Sequence, residues 1–196
     1  DIGLSSALAP NPSGDCTDRQ PACMKAPNGN DADEQAELTE QMLELVTFYA
    51  RNLAVPARRD VGKPRVLAGK KLFYDSGCTA CHRPKYVTPK SDEMPEQSAQ
   101  LIWPYTDLLL HDMGEGLADN RPESDATGRE WRTPPLWGIG LTGVVSDHTD
   151  LLHDGRARNL LEAILWHGGE AEAAKQRVTA MTPEQRAALI AFLNSL

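Results

Sequence analysis

The stretch Cys78-Thr79-Ala80-Cys81-His82 decides how the chain is read. In C-x-x-C-H, two thiols separated by two residues can add across the two vinyl groups at one edge of a porphyrin, and the following histidine then lies under the iron. A neutral imidazole suits that axial position, because one ring nitrogen binds while the other donates to a backbone carbonyl that fixes the tautomer. Two other chemistries share part of the pattern. A thioredoxin-like C-x-x-C wants a βαβ setting, and half of a zinc site wants a second ligand pair at finger-like spacing. No strand is predicted before Cys78, and the remaining cysteines, Cys16 and Cys23, are spaced unlike a zinc knuckle. The reading is therefore one covalent haem c, held by Cys78 and Cys81 with His82 as an iron ligand.

Working outward, Pro64 suits the first turn of a helix that runs through Val66, Leu67, Leu72 and Phe73 and stops at Asp75-Ser76-Gly77. The haem motif then follows directly on a helix, as in small c-type cytochromes. Phe73 is placed either against the porphyrin or in the plain core. Residues 83–104 hold Pro84, Pro89, Pro95 and Pro104, with only Gln100-Leu101-Ile102-Trp103 reading as a short strand, so a long loop or irregular hairpin is expected to wrap the ligand. Tyr105 to Leu110 is apolar, His111-Asp112-Met113-Gly114 reads as a turn, and 115–130 as a surface loop. Trp131-Arg132-Thr133-Pro134-Pro135-Leu136-Trp137 concentrates two tryptophans, an arginine and a rigid dipeptide. Its aromatic and apolar residues, with Pro134, Leu136 and Trp137 among them, can line a porphyrin face, and Arg132 can pair with a propionate. The alternative leaves Trp131 in the core and Arg132 as a solvated charge.

A further helix is expected from Asn159, with Leu160, Ile164 and His167 on one face and Gly168-Gly169 ending it. A histidine on an apolar stripe is ordinarily a satisfied core residue, but here the iron has a sixth position to fill. Glu170 to Val178 is read as a short helix, and Thr182-Pro183-Glu184-Gln185 as the capping box of a last one carrying Leu189, Ile190, Leu193 and Leu196.

Before the haem motif, residues 1–30 are rich in Pro, Gly and Asn without periodicity and read as an extended arm. Cys16 and Cys23 lie in it seven apart, where a closed loop is easy to form, and a disulfide is expected between them, with two free thiols as the alternative. From Asp33, with Asp31 or Asp33 as cap, Leu38, Met42, Leu45, Tyr49 and Leu53 recur at helical spacing, and this stripe is expected to be core. The fold class expected is mainly α: a cytochrome c-like helical domain with long loops over 56–196, preceded by the extended arm and amphipathic helix of 1–55.

The 196 residues carry a net charge of −8, which argues against nucleic acid and against an anionic membrane surface. No run of about 18 apolar residues is present, so no membrane span is expected. Asp1-Ile2-Gly3 lacks the features of a signal peptide, so the numbering is taken to start on a processed protein or a fragment. Covalent haem attachment and a disulfide would both place this bacterial-looking chain in an oxidising compartment, the periplasm.

Several blocks together resemble the C-terminal haem domain of the bacterial di-haem cytochrome c peroxidase superfamily, and most closely its di-haem oxidoreductase family of thiol-oxidoreductase type. They are Ile2-Gly3-Leu4-Ser5, Gly69 to Pro84, Tyr105 to Gly114, Trp131 to Trp137, Leu152-His153-Asp154-Gly155-Arg156-Ala157, and Leu161 through Ala171. In the peroxidases a block resembling His153-Asp154-Gly155 is followed fourteen residues later by a methionine, the distal ligand of the electron-transfer haem. That position is His167 here. The resemblance thus implies a bis-histidine iron held by His82 and His167, with Met113 as the competing ligand and a lower reduction potential than a thioether would give. It also implies a second haem on an N-terminal domain with its own attachment motif, relative to which this chain reads as a C-terminal half. Some relatives bind calcium just before the His-Asp-Gly block, where a proline of theirs is Asp150 here, which leaves calcium possible but unsupported.

Three functions compete, the last of them a helix-packing or redox-sensing role. The first is an electron-transfer module that exchanges single electrons with a donor or acceptor protein and with a second haem. The second is a peroxidase-like or thiol oxidoreductase acting at this haem through an exchangeable distal ligand, with His153 as acid or base.

Overall fold

The computed structural model describes residues 4–14, 16–30, 33 and 36–196. The chain divides into two compact units, residues 1–54 and 55–196.

In the first unit, Cys16 and Cys23 are joined in a disulfide with Cα atoms 5.9 Å apart. Cys23 belongs to a single helical turn, α1 (Pro21–Met24). The buried Ser5 is the organising residue, because its N–H donates to Glu37 Oε2 at 3.0 Å and its hydroxyl to Asn30 Oδ1 at 2.8 Å. Helix α2 (Glu40–Arg51) starts on Thr39, whose side chain accepts from the Met42 N–H. The cap is thus neither expected aspartate: Asp33 lies upstream in a turn, and Asp31 lies outside the described residues, as do Ile2 and Gly3. The stripe expected to be core is also corrected, since Met42, Leu45, Tyr49 and Leu53 are all more than half exposed. Periodicity identifies which face of a helix is apolar, not whether a surface exists to cover it.

The second unit is built on the crossing of α3 (Pro64–Asp75) and α7 (Pro183–Leu193). Pro64 sits in the first turn of α3, and Gly77 takes the left-handed conformation (φ +80°) just past its end, so the helix has the start and stop that the sequence predicts. A Cβ on Gly69 would overlap the Ala188 carbonyl oxygen, so only glycine permits this approach. Val66 and Phe73 of α3 and Leu189, Phe192 and Leu193 of α7 enclose a core completed by Tyr105, Leu136, Val178 and Leu196. The ring of Phe192 lies 5.3 Å from that of Phe73 and 5.8 Å from that of Tyr105. Burying each of these large side chains stabilises the unit by roughly 1.5–3 kcal/mol.

Helix α7 has the capping box read from the sequence, with Thr182 accepting from the Gln185 N–H and Gln185 reaching back to the Thr182 N–H. Thr182→Ala is expected to cost about 1 kcal/mol in denaturant unfolding with an unchanged m-value. Between α3 and α7 lie α4 (Thr142–Ser146), α5 (Leu160–Trp166) and α6 (Glu172–Thr179). Two antiparallel ribbons complete the unit: β1 (Tyr86–Val87) pairs with β2 (Leu101–Ile102), and β3 (Leu110–Asp112) with β4 (Glu130–Arg132), His111 lying opposite Trp131.

The expectation of a mainly α, cytochrome c-like helical domain is therefore corrected. The structure is 39% helical with 7% strand, with seven helices and two small sheets among the described residues. Fourteen prolines keep over half the chain irregular, and the segments read as the turn at 111–114 and the loop at 115–130 contribute the β3–β4 ribbon instead. Among the described residues no helix is long and apolar enough to cross a membrane.

Candidate functional site

Gly77 opens a tight helical turn at Cys78–Ala80 that leaves the thiols of Cys78 and Cys81 free and half-buried. The His82 N–H donates to the Cys78 carbonyl at 2.9 Å, which fixes the histidine directly after the turn. Its ring Nδ1 lies 3.0 Å from the carbonyl of Tyr105. A carbonyl only accepts, so Nδ1 carries the proton and Nε2 keeps a lone pair. Tyr105 is fully buried and holds φ +54°, an uncommon backbone for tyrosine that costs about 1–2 kcal/mol. The core rings around it hold this conformation.

His167 is arranged in the same way from the other side. Asn159 caps α5 by accepting from the Glu162 N–H at 2.9 Å, and His167 ends the helix with its Nδ1 2.7 Å from the Ala163 carbonyl. Again Nδ1 must donate and Nε2 keeps its lone pair. The two imidazole rings lie near each other, with centroids 6.4 Å apart and planes inclined by 45°. A metal–imidazole bond of about 2 Å puts the ring centres of two trans ligands about 6 Å apart, so the observed spacing fits one metal between them. Burial foremost pushes the His82 ring down to about 4, against the opposing Tyr105 hydrogen bond, and burial likewise lowers His167. Both rings are thus neutral at pH 7. Burial also raises both thiols, Cys78 to about 11.

Phe73 is buried in the core and also flanks His82, with ring centroids 6.3 Å apart. Leu136 is a core residue and Trp137 is half-buried. Arg132 and Pro134 are exposed, and the Arg132 guanidinium makes no ion pair among the described residues. His153 stacks on Trp131 at 3.6 Å, nearly parallel, and both rings donate to the Leu117 carbonyl, at 3.0 and 3.1 Å. The adjoining Arg156 reaches Asp154 and the Gly116 carbonyl, so the His-Asp-Gly-Arg block ties down the turn Glu115–Leu117. The backbone of Met113 lies against Gly168, and its N–H donates to Arg129.

Sequence reasoning missed Arg58. Its guanidinium lies 5.3 Å over the Phe192 ring, Nη2 donates to the Ser195 hydroxyl, and the buried Nε has no partner among the described residues. It lines an apolar groove with Val55, Pro56, Trp103, Trp137 and Leu196. An orphaned buried donor beside aromatic rings is what a ligand carboxylate would satisfy. A lone arginine before a proline-led helix carries no such signal in sequence. The one cluster of metal-ligating side chains among the described residues is Cys81, Asp107 and His111, and no such cluster involves Asp150.

Two neutral imidazoles near each other beside a pair of thiols form a donor set that fits a covalently held haem, the equipment of a redox protein. The chain belongs to the di-haem oxidoreductase family: the sequence model described as "Di-haem oxidoreductase, putative peroxidase" matches residues 1–196, and this membership implies a haem cofactor. No curated protein and no solved structure matches the chain at a comparable level.

Proposed function

We propose that the chain carries one haem c, thioether-linked through Cys78 and Cys81 and ligated by His82 and His167, and that it passes single electrons between a partner redox protein and a second haem on an N-terminal domain of the same protein. The observation that carries this reading is the close pair of histidines, each with Nδ1 committed to a carbonyl and Nε2 directed to no other partner among the described residues. When bound, the haem supplies a one-electron couple, and two imidazole ligands set its potential below that of a histidine–methionine pair.

The chain's own residues do the rest. The carbonyls of Tyr105 and Ala163 hold the tautomers, Phe73 shields the His82 side, and His167, as the second residue holding the haem, would leave no open place for a substrate. We assign Arg58, rather than the exposed Arg132, to a haem propionate, with Trp137 in the same groove. The Cys16–Cys23 disulfide supports an oxidising, periplasmic setting.

Intact mass and the absorption spectrum of the purified holoprotein test this reading. The expected result is a mass excess of one haem and a low-spin ferric spectrum that peroxide leaves unchanged and that cyanide alters only slowly. A high-spin ferric component that reacts with peroxide would overturn it in favour of peroxidase-like or thiol chemistry at this haem. A colourless protein with unmodified thiols would remove haem c altogether.

A further inference from the structure

Asp107, His111 and Glu170 stand beside the proposed site without a part in it. Nδ1 of His111 lies 2.8 Å from Glu170 Oε2, and its Nε2 lies 2.9 Å from Asp107 Oδ2. A neutral imidazole has one N–H, so it can donate to only one of these oxygens, and its other nitrogen would then point a lone pair at a carboxylate. Both contacts are hydrogen bonds only when the ring carries two protons. His111 is therefore an imidazolium bridging two carboxylates, and the side chains of His111 and Asp107 are only 15% and 12% exposed.

One carboxylate comes from the segment that carries the hydrogen-bond partner of His82, the other from the segment that carries His167. Asp107 follows two residues after Tyr105, the partner of His82, and Glu170 follows three residues after His167. The other oxygen of Glu170 accepts from the Asp112 N–H at 3.1 Å. Glycine makes this junction possible, since a Cβ on Gly169 (φ +51°) would overlap the Asp112 carbonyl oxygen.

We propose that the Asp107–His111–Glu170 bridge is a proton-dependent latch that holds the segment carrying His167 against the 107–114 loop. With His111 protonated the bridge carries one net negative charge. Once the ring loses its proton, two carboxylates face each other with no cation between them, and the segments part. The latch regulates the site of the proposed function, and so rests on that reading for its consequence at His167, though not for its own existence.

The Glu170 hydrogen bond raises the His111 pKa, burial opposes it, and Asp107 raises it further. A raised folded-state value means that the latch's contribution is complete below the ordinary histidine pKa and is lost as pH rises through the folded one. The other ionisable groups near the ring are His82, on which a charged His111 acts unfavourably, the Cys81 thiol, Asp112, and the residues of the paired strand. Glu130 and Arg132 flank Trp131 there, and Arg129 is ion-paired with Asp112 and Glu115 at 3.1 and 3.0 Å. A metal on Cys81, Asp107 and His111 would need a thiol that the proposed thioether consumes and a ring whose two nitrogens already face carboxylates.

The test uses the holoprotein and three readouts: ring 15N shifts of His111, hydrogen-exchange protection of residues 108–114 and 167–172, and the rate of cyanide binding to the ferric state. As pH rises from about 6 to 9, both segments are expected to lose protection together, by at least about tenfold, in step with deprotonation of His111. Glu170→Gln should show the low protection throughout and bind cyanide about tenfold faster than wild type at pH 7. The latch is overturned if His111 titrates at its ordinary value, or if Glu170→Gln leaves both the protection and the cyanide rate unchanged. A wild-type spectrum without the low-spin signature would instead remove the His82–His167 ligation, and hydrogen exchange would still decide the latch.

Discussion

Changing His167 to alanine in the haem-loaded protein is expected to convert a low-spin ferric spectrum into a high-spin one and to tighten cyanide binding by at least about 100-fold. The change deletes the imidazole whose centroid lies 6.4 Å from that of His82, and alanine offers no donor in its place. His82 keeps its Tyr105 hydrogen bond, and the thiols are untouched, so the haem should stay covalently attached, with the same mass excess of one haem over the polypeptide. Met113 provides the control. Its backbone is pinned between Arg129 and Gly168, on the loop where His111 meets Glu170. Met113→Leu should leave the spectrum as it is. If the methionine variant goes high-spin while His167→Ala does not, the two ligands have been assigned the wrong way round.

What was legible in the sequence was local. Pro64 and Gly77 bracket α3, Asn159 caps α5, and Thr182 with Gln185 boxes α7, because each of these residues acts on backbone groups within four positions of itself. The turn Cys78–Ala80 and the helix-end position of His167 follow from the same near-neighbour chemistry. What stayed hidden depends on partners far along the chain. His111 finds Glu170 59 residues away, and Arg58 finds Ser195 137 residues away, with no periodicity to announce either pairing. Strands of three residues such as Leu110–Asp112 and Glu130–Arg132 are too short for alternation to register, so a ribbon read as a turn and a loop. The mainly α expectation failed for the same reason: helix signals are strong and local, so helices were seen and the remainder was underweighted. The stripe of α2 shows the converse error, in which a local pattern was read as a statement about burial.

Replacing Gly69 by alanine sets two effects of opposite sign against each other, and the packing effect should win. In the middle of α3, alanine is favoured over glycine by about 1 kcal/mol on helix propensity alone. The added Cβ, however, would overlap the Ala188 carbonyl oxygen and approach Phe192 Cβ to 2.8 Å, and the first of these is backbone inside α7 that cannot rotate away. Overpacking of this kind costs about 1–3 kcal/mol and more where backbone must shift, so a net loss of about 2 kcal/mol or more is expected in denaturant unfolding. Gly62→Ala is the matched control: nothing lies within 4 Å of its Cβ position, so the same chemical change should be neutral or mildly stabilising. The consequence reaches the site, because α3 carries Phe73 and ends three residues before Cys78. A helix pushed off α7 moves His82 while His167 stays with α5, which lengthens the 6.4 Å separation that one metal can span. Gly69→Ala should therefore lose low-spin character at denaturant concentrations where Gly62→Ala retains it, and equal stability of the two variants would show that the α3–α7 contact does not set the spacing of the histidines.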